Sequence, residues 1–426
     1  MSLTASTTRS FPDLARVSNS MVVERAKGSL LWDTEDNEYI DFASGVLVLA
    51  AGQADERIAE AVSAQARTLT NVYAHDTRPR SDLAEAILET TGGDFDQAFF
   101  MSTGSEGIET ALKIARAVTG RHGLVAFSGA FHGKTASGVT VDGQAGVRDV
   151  FGSTIVGPVV RAHYPYPYRW MLPGDVDETA LALLDAQIQM EGAGRIGAIL
   201  MEAFLGAGGV VPASARFLRG VREIADRYNL VFILDEIQSG LGRSGTTWAY
   251  QAAGITPDLL LGAKHLGGGL PIVAIMSSRD VYDRVPAGSL TSTFGGNPLS
   301  TAAGLAMLRI FDTDDLVARG AAAAVEVAAR MRRWEQDYLI VGECRSAGLS
   351  CGIELVVPGT TEPNRVAANA AKALAATHGL LTMPAAGVYG NVLRFGPALN
   401  IPENLLDDGL DRLESVIAEL DRVTAA

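Results

Sequence analysis

The sequence predicts an α/β protein: a largely parallel sheet with helices on both faces, followed by a smaller α+β unit. Three observations carry this. Helical stretches alternate with short apolar runs up to about residue 310, that alternation then stops, and a chain of 426 residues exceeds one ordinary small core. Residues 1 to about 20 are polar, and "GSLLWDTEDNEYIDFASG" alternates large apolar and polar residues around an acidic turn, as a hairpin does. Beyond it, "RSDLAEAILETTG", "GIETALKIARAVTG" and "ARFLRGVREIADRYN" have helical spacing. Between them stand "QAFFMS", "GLVAFSG", "GAILME", "LVFILDE" and "DLLLGAK", apolar enough for strands buried on both faces. In the last third, "LVARGAAAAVEVAARMRRWEQDY" predicts a long helix, "LSCGIELVV" and "NVLRFGPALN" predict strands, and "ENLLDDGLDRLESVIAELDRV" predicts an amphipathic closing helix. With no internal repeat and no low-complexity linker, the two units are expected to pack tightly.

Composition excludes several classes. With 47% hydrophobic and 20% charged residues, and 46 glycines in no regular period, the chain is neither disordered, collagenous nor a coiled coil. A net charge of -14 without a long basic run argues against nucleic acid as a partner. Cys344 and Cys351 match neither a redox pair nor a zinc ribbon, and the six histidines form no metal-ligand motif, so no metal is expected. The opening "MSLTASTTRSF" has no apolar signal region and no run of eighteen apolar residues follows, which gives no membrane and a cytoplasmic location as expectations.

In such sheets ligands bind beyond the carboxyl ends of the strands. After "AFFM", Gly104 and Ser105 lead into a helix whose N-terminus suits a phosphate, although an ordinary N-cap followed by acids has the same appearance. "LVFILDEIQSG" ends in Asp235 and Glu236, where a buried carboxylate needs a cationic partner: either magnesium or a protonated ring nitrogen such as that of pyridoxal phosphate. "GAFHGKT" hints at the nucleotide-hydrolase reading with magnesium. Only three residues separate Gly129 from Gly133, however, where a phosphate loop has four, and "ASGVTVDGQ" is a poor helix former. Lys264, in "LLLGAKHLGGGLPI", taken alone is a surface lysine whose stem lies along the core edge. Taken with Asp235 and Ser105 it becomes the amine of a Schiff base, with Asp235 keeping a pyridine nitrogen protonated and Ser105 anchoring a phosphate. A desolvated amine beside a cationic ring should have a depressed pKa.

These residues resemble the class III, fold-type I, pyridoxal-phosphate-dependent aminotransferases, within them the 4-aminobutyrate aminotransferase branch. The resemblance runs from "LLWDTEDNEYIDFASG" through "STGSEGIETALKIAR", "AFSGAFHGKT", "LDEIQSGLGRSGTTWAYQAAGITPDLLLGAKHLGGGLPI" and "TSTFGGNPLSTAAGLA" to "NVLRFGPAL". It implies a large domain over residues 51–310 with a seven-stranded sheet, and a small domain over 311–426 joined by residues 1–50. It implies Lys264 and Asp235 as the catalytic pair and Gly104, Ser105, Phe131, His132, Ile237 and Gln238 around pyridoxal 5'-phosphate. Thr293 would reach the phosphate from the neighbouring subunit of a homodimer or a dimer of dimers. Arg394, Val46, Lys134, Glu202 and Ala207 would face the substrate, with Leu47 beside Val46 at the entrance or in a plain strand.

The resemblance has three departures. "GAGG" places Ala207 where the aminobutyrate enzymes carry a glutamate, Lys134 stands where an arginine is common, and "GQADE" replaces "GHxHP". Without that glutamate Arg394 would stay free, which puts alternation between an ω-amine donor and a 2-oxo acid acceptor in question. The implied reaction moves an amino group from an amine or amino acid to a 2-oxo acid through a pyridoxamine form. Racemisation, decarboxylation of a dialkylglycine and phospho-lysis occur on the same fold, and a catalytically dead binding or scaffold protein is the non-enzymatic reading.

Overall fold

The computed structural model describes residues 21–73, 75–144 and 157–425. Its largest sheet has seven strands: β1 (Gln97–Met101), β2 (Gly123–Phe127), β3 (Val159–Ala162), β4 (Ile196–Glu202), β5 (Val231–Asp235), β6 (Leu259–Gly262) and β7 (Val273–Ser277). Their spatial order is β1-β7-β6-β5-β4-β2-β3. Neighbours run parallel except at β7, which is antiparallel to both β6 and β1. Alternation along β5 explains the apolar run: Val231 and Ile233 join one buried cluster with Ile108 and Leu112 of the helix Gly104–Thr119, while Phe232 and Leu234 join the other. A strand covered on both faces needs no polar side until it ends, and β5 ends in Asp235.

The first described segment meets the last third of the chain. The hairpin Leu30–Asp33 and Glu38–Asp41 forms as its alternation predicts, and Leu380–Leu381 adds to it in parallel. Phe42 stacks on Phe395 with centroids 5.7 Å apart, and the Gly396 N–H donates to the Phe42 carbonyl at 2.7 Å. Phe395 ends the strand Val392–Phe395, the third of an antiparallel sheet with Val341–Ala347 and Ser350–Leu355. The helices Leu316–Asp337, Arg365–Thr377 and Glu403–Ala425 accompany these sheets.

Two local expectations fail. "ASGVTV" does form a short helix, Ala136–Val141, because tertiary contacts override its weak propensity: Val139 and Val141 are buried and the Ser137 N–H donates to Glu109 Oε1 at 2.9 Å. Val46 and Leu47 belong to no strand. Ser44, Gly45, Val46 and Leu47 all have positive φ, a left-handed turn whose start is held by Asp41 Oδ1 accepting from the Ala43 and Ser44 N–H groups. Leu47 is buried, whereas Val46 is 44% exposed.

Trp248 stands between the end of β6 and the loop after Asp235, its ring against two bare glycines. A Cβ on Gly262 would stand 2.5 Å from the Trp248 ring, and one on Gly240 2.4 Å from it. Gly262→Ala is therefore expected to destabilise the protein by about 1–3 kcal/mol in urea unfolding. Gly194→Ala, which meets open space, should change stability by less than about 0.5 kcal/mol.

Candidate active site

Three adjacent parallel strands deliver the central residues. Asp235, the last residue of β5, is paired in register with Glu202, the last of β4, and Lys264 follows β6 by two residues. The sheet thereby gathers two carboxylates and an amine at one end. Asp235 is 5% exposed; its Oδ2 lies 2.8 Å from Nδ1 of His132, itself 1% exposed, and its Oδ1 accepts from the Ile237 N–H at 3.0 Å. Burial opposes a charge on His132, but the hydrogen bond and charge of Asp235 outweigh it and raise the imidazole pKa.

Lys264 is partly buried. Burial is the main cause that pushes its pKa down to about 8; Asp235 and Glu202 pull it up, while Arg394 and Arg243 push it lower. A surface lysine would not show this. Arg394, in the strand Val392–Phe395, is 7% exposed and donates from Nη1 to the Gly206 carbonyl at 3.1 Å. Its burial lowers its pKa to about 10, with Glu202 opposing.

Glu202 was expected to face the substrate, yet both its carboxylate oxygens are occupied by the main chain. Oε1 accepts from the Phe131 N–H at 2.8 Å and Oε2 from the Gly206 N–H at 3.0 Å. It thus joins the segment after β2 to the loop after β4. Burial lifts its pKa to about 7, against the pull of His132. Ala207 sits in that same loop, and its carbonyl accepts from the Gly387 N–H at 2.9 Å.

The helix Gly104–Thr119 opens with a capping box in which Thr103 Oγ1 accepts from the Glu106 N–H and Glu106 Oε2 from the Thr103 N–H. Thr103, not Ser105, is therefore the cap. Ser105 is left in the first turn, where its Oγ accepts from the N–H of the exposed Lys134 at 3.4 Å. Thr293 makes a different set of contacts. It is exposed, and its carbonyl accepts from Asn71 Nδ2 at 3.0 Å; among the described residues no hydrogen bond ties it to the Asp235 pocket.

The family model for class-III aminotransferases matches residues 14–417. The chain is a class-III aminotransferase. It is 34% identical over 404 residues to the 5-aminovalerate aminotransferase DavT of Pseudomonas putida, covering 93% of each chain. To the acetylornithine aminotransferase of the same species it is 34% identical over 407 residues, again with 93% of each covered. Its fold matches that of an omega transaminase from Pseudomonas jessenii solved in complex with PMP, at a TM-score of 0.93 and 23% identity over 100% of this chain and 99% of that one.

The aminotransferase's residues fit pyridoxal 5'-phosphate. Gly104 leaves only enough room for Ile237, since a Cβ there would stand 3.1 Å from Ile237 Cδ1. The buried Gln238 Oε1, Arg394 Nε and His132 Nε2 have no hydrogen-bond partner among the described residues. A polar, flat group with an anionic end can answer Gln238 beside the Asp235 carboxylate and the open helix terminus.

Two contributors escaped the sequence reading. Arg345 donates from Nε and Nη2 to the Gly209 carbonyl at 3.2 and 3.0 Å and pairs with the buried Glu354 at 2.7 Å. Tyr164 donates to the Glu202 and Ala203 carbonyls, both at 3.1 Å. For the Arg345–Glu354 pair, a glutamate in the wholly buried strand Ser350–Leu355 was the available signal. Their partner loop lies 136 residues away from Arg345, beyond any local motif.

The pKa assigned to Lys264 is measurable in cofactor-free protein from the pH dependence of its acylation. The midpoint should fall near 8. Asp235→Asn should move it lower by removing an attracting charge, and Arg394→Gln should move it higher by removing a repelling one.

Proposed function

We propose that Lys264, Asp235 and Arg394 form the working centre of this aminotransferase, which moves an amino group from a carboxylate-bearing amine or amino acid to a 2-oxo acid. The observation that carries the reading is the partly desolvated Lys264 amine placed beside the buried Asp235–His132 pair at the ends of adjacent strands. Pyridoxal 5'-phosphate is the cofactor, and when bound it supplies the electron sink for the bond broken at the substrate carbon.

The protein's own residues perform the rest. Asp235 holds a proton on the ring nitrogen, and His132 holds Asp235 in place. Gly104 and Ser105 would hold its phosphate at the helix terminus, Phe131 and Ile237 would pack on the ring, and Gln238 would meet its phenolic oxygen. Lys264 Nζ would take the proton from the substrate carbon and deliver it to the carbon on the far side of the transferred nitrogen; a pKa near 8 leaves a useful fraction of the amine neutral near pH 7. Arg394 binds a substrate carboxylate through its guanidinium, a role supported by its burial and by an Nε that has no partner among the described residues. The donors named for the two relatives both carry a carboxylate and an amine.

Thr293, exposed and without a hydrogen bond to the Asp235 pocket among the described residues, is assigned to the phosphate of a second subunit, so the working form is a homodimer or a dimer of dimers. The same reading divides the chain into a large domain over 51–310 and a small domain over 311–426 completed by residues 1–50. Among the described residues no helix is long and apolar enough to cross a membrane, and the two cysteines are unpaired; we place the enzyme in the cytoplasm.

Mixed with an amino donor alone, the holoenzyme should release one equivalent of carbonyl product per active site and stop until a 2-oxo acid is added. Continuous turnover without an acceptor would assign the chain to racemisation or lysis instead. Lys264→Ala should release less than about a thousandth of the wild-type rate.

A further inference from the structure

Beyond the charge of Arg243 acting on Lys264, Arg243 and His265 have no part in the mechanism above, yet both are buried next to it. Arg243 is 0% exposed, and among the described residues no carboxylate pairs with it. Its guanidinium instead donates to three uncharged acceptors. Nε and Nη2 lie 3.2 and 3.1 Å from Nε2 of His265, while Nη1 donates to the Pro397 carbonyl at 2.7 Å and to the Leu349 carbonyl at 3.3 Å. Since Nδ1 of His265 lies 2.8 Å from the Leu241 carbonyl, which can only accept, Nδ1 carries the ring proton and Nε2 is free to accept from Arg243.

These contacts link two functional segments. His265 follows Lys264 in the short turn Lys264–Gly267, and Pro397 stands three residues after Arg394. Leu349 precedes the strand Ser350–Leu355 that pairs with the Arg394 strand, Gly352 opposite Arg394. We propose that Arg243 is a positioning residue: through His265 it holds the turn bearing Lys264, and through the Pro397 and Leu349 carbonyls it holds the strands bearing Arg394, setting the spacing between the amine and the carboxylate-binding arginine. The proposal rests on the assignment of Lys264 and Arg394 made above. A buried guanidinium bound only to neutral acceptors is costly to desolvate, and a three-way tie between distant segments is a positional role that such a charge can fill.

The test uses the holoenzyme and glutarate, a dicarboxylate without an amine or keto group, titrated by calorimetry with concentrations counted as cofactor-loaded sites. Arg394→Gln is the reference: if it binds glutarate as wild type does, the underlying carboxylate assignment fails. Given a loss in Arg394→Gln, His265→Phe, which removes the acceptor and keeps a flat ring, should weaken glutarate roughly tenfold or more. His265→Gln, which restores an acceptor, should recover most of that loss. Arg243→Lys, which keeps the charge but cannot span three acceptors, should also bind more weakly than wild type, and it decides the matter should His265→Phe not fold. A lower melting temperature with unchanged affinity per loaded site in these variants would make Arg243 merely stabilising and overturn the proposal.

Discussion

A carboxylate buried at the end of a fully apolar strand is the constraint on which the rest of the structure depends. Asp235 has little contact with water, and its oxygens are already engaged by the Ile237 N–H and by His132. An anion so placed is stable only near positive charge or strong donors. The protein supplies part of this through His132, whose pKa is raised in consequence, and Lys264 and Arg394 add positive charge nearby. We propose that a protonated heterocycle meets the remaining demand, which would link the strand's sequence to the cofactor.

Around that carboxylate, the loop after β4 is held from several sides. Glu202 Oε2 accepts from the Gly206 N–H, Arg394 donates to the Gly206 carbonyl, and Arg345 donates to the Gly209 carbonyl. A Cβ at Gly206 would come within 1.7 Å of Gln238 Oε1, so the loop passes the cofactor residues with bare backbone. Ala207 lies within this fixed frame. Its methyl group offers no carboxylate to Arg394, whose hydrogen bond runs to the Gly206 carbonyl.

Much of this was legible in the sequence because the fold writes it locally. The period-2 sorting of β5 and the turns after β5 and β6 place Asp235 and Lys264 within a few residues of recognisable apolar runs, and the hairpin at residues 30–41 follows its alternation. Less legible were features set by distant contacts. Glu202 ends its strand as any candidate substrate ligand would, and only the positions of Phe131 and Gly206 reveal it as a brace. The left-handed turn at Val46 and Leu47 contradicts the preference of bulky residues, and it follows from Asp41 holding the turn and from Leu47 being buried. The helix at Ala136–Val141 is likewise fixed by burial and by Glu109, not by propensity.

The central claim is that Asp235 keeps the cofactor's ring nitrogen protonated. Solid-state NMR of the holoenzyme reconstituted with a cofactor isotope-labelled at that nitrogen tests it directly. The account predicts the shift of a protonated pyridine in the wild type and of an unprotonated one in Asp235→Ala. An unprotonated nitrogen in the wild type would contradict it.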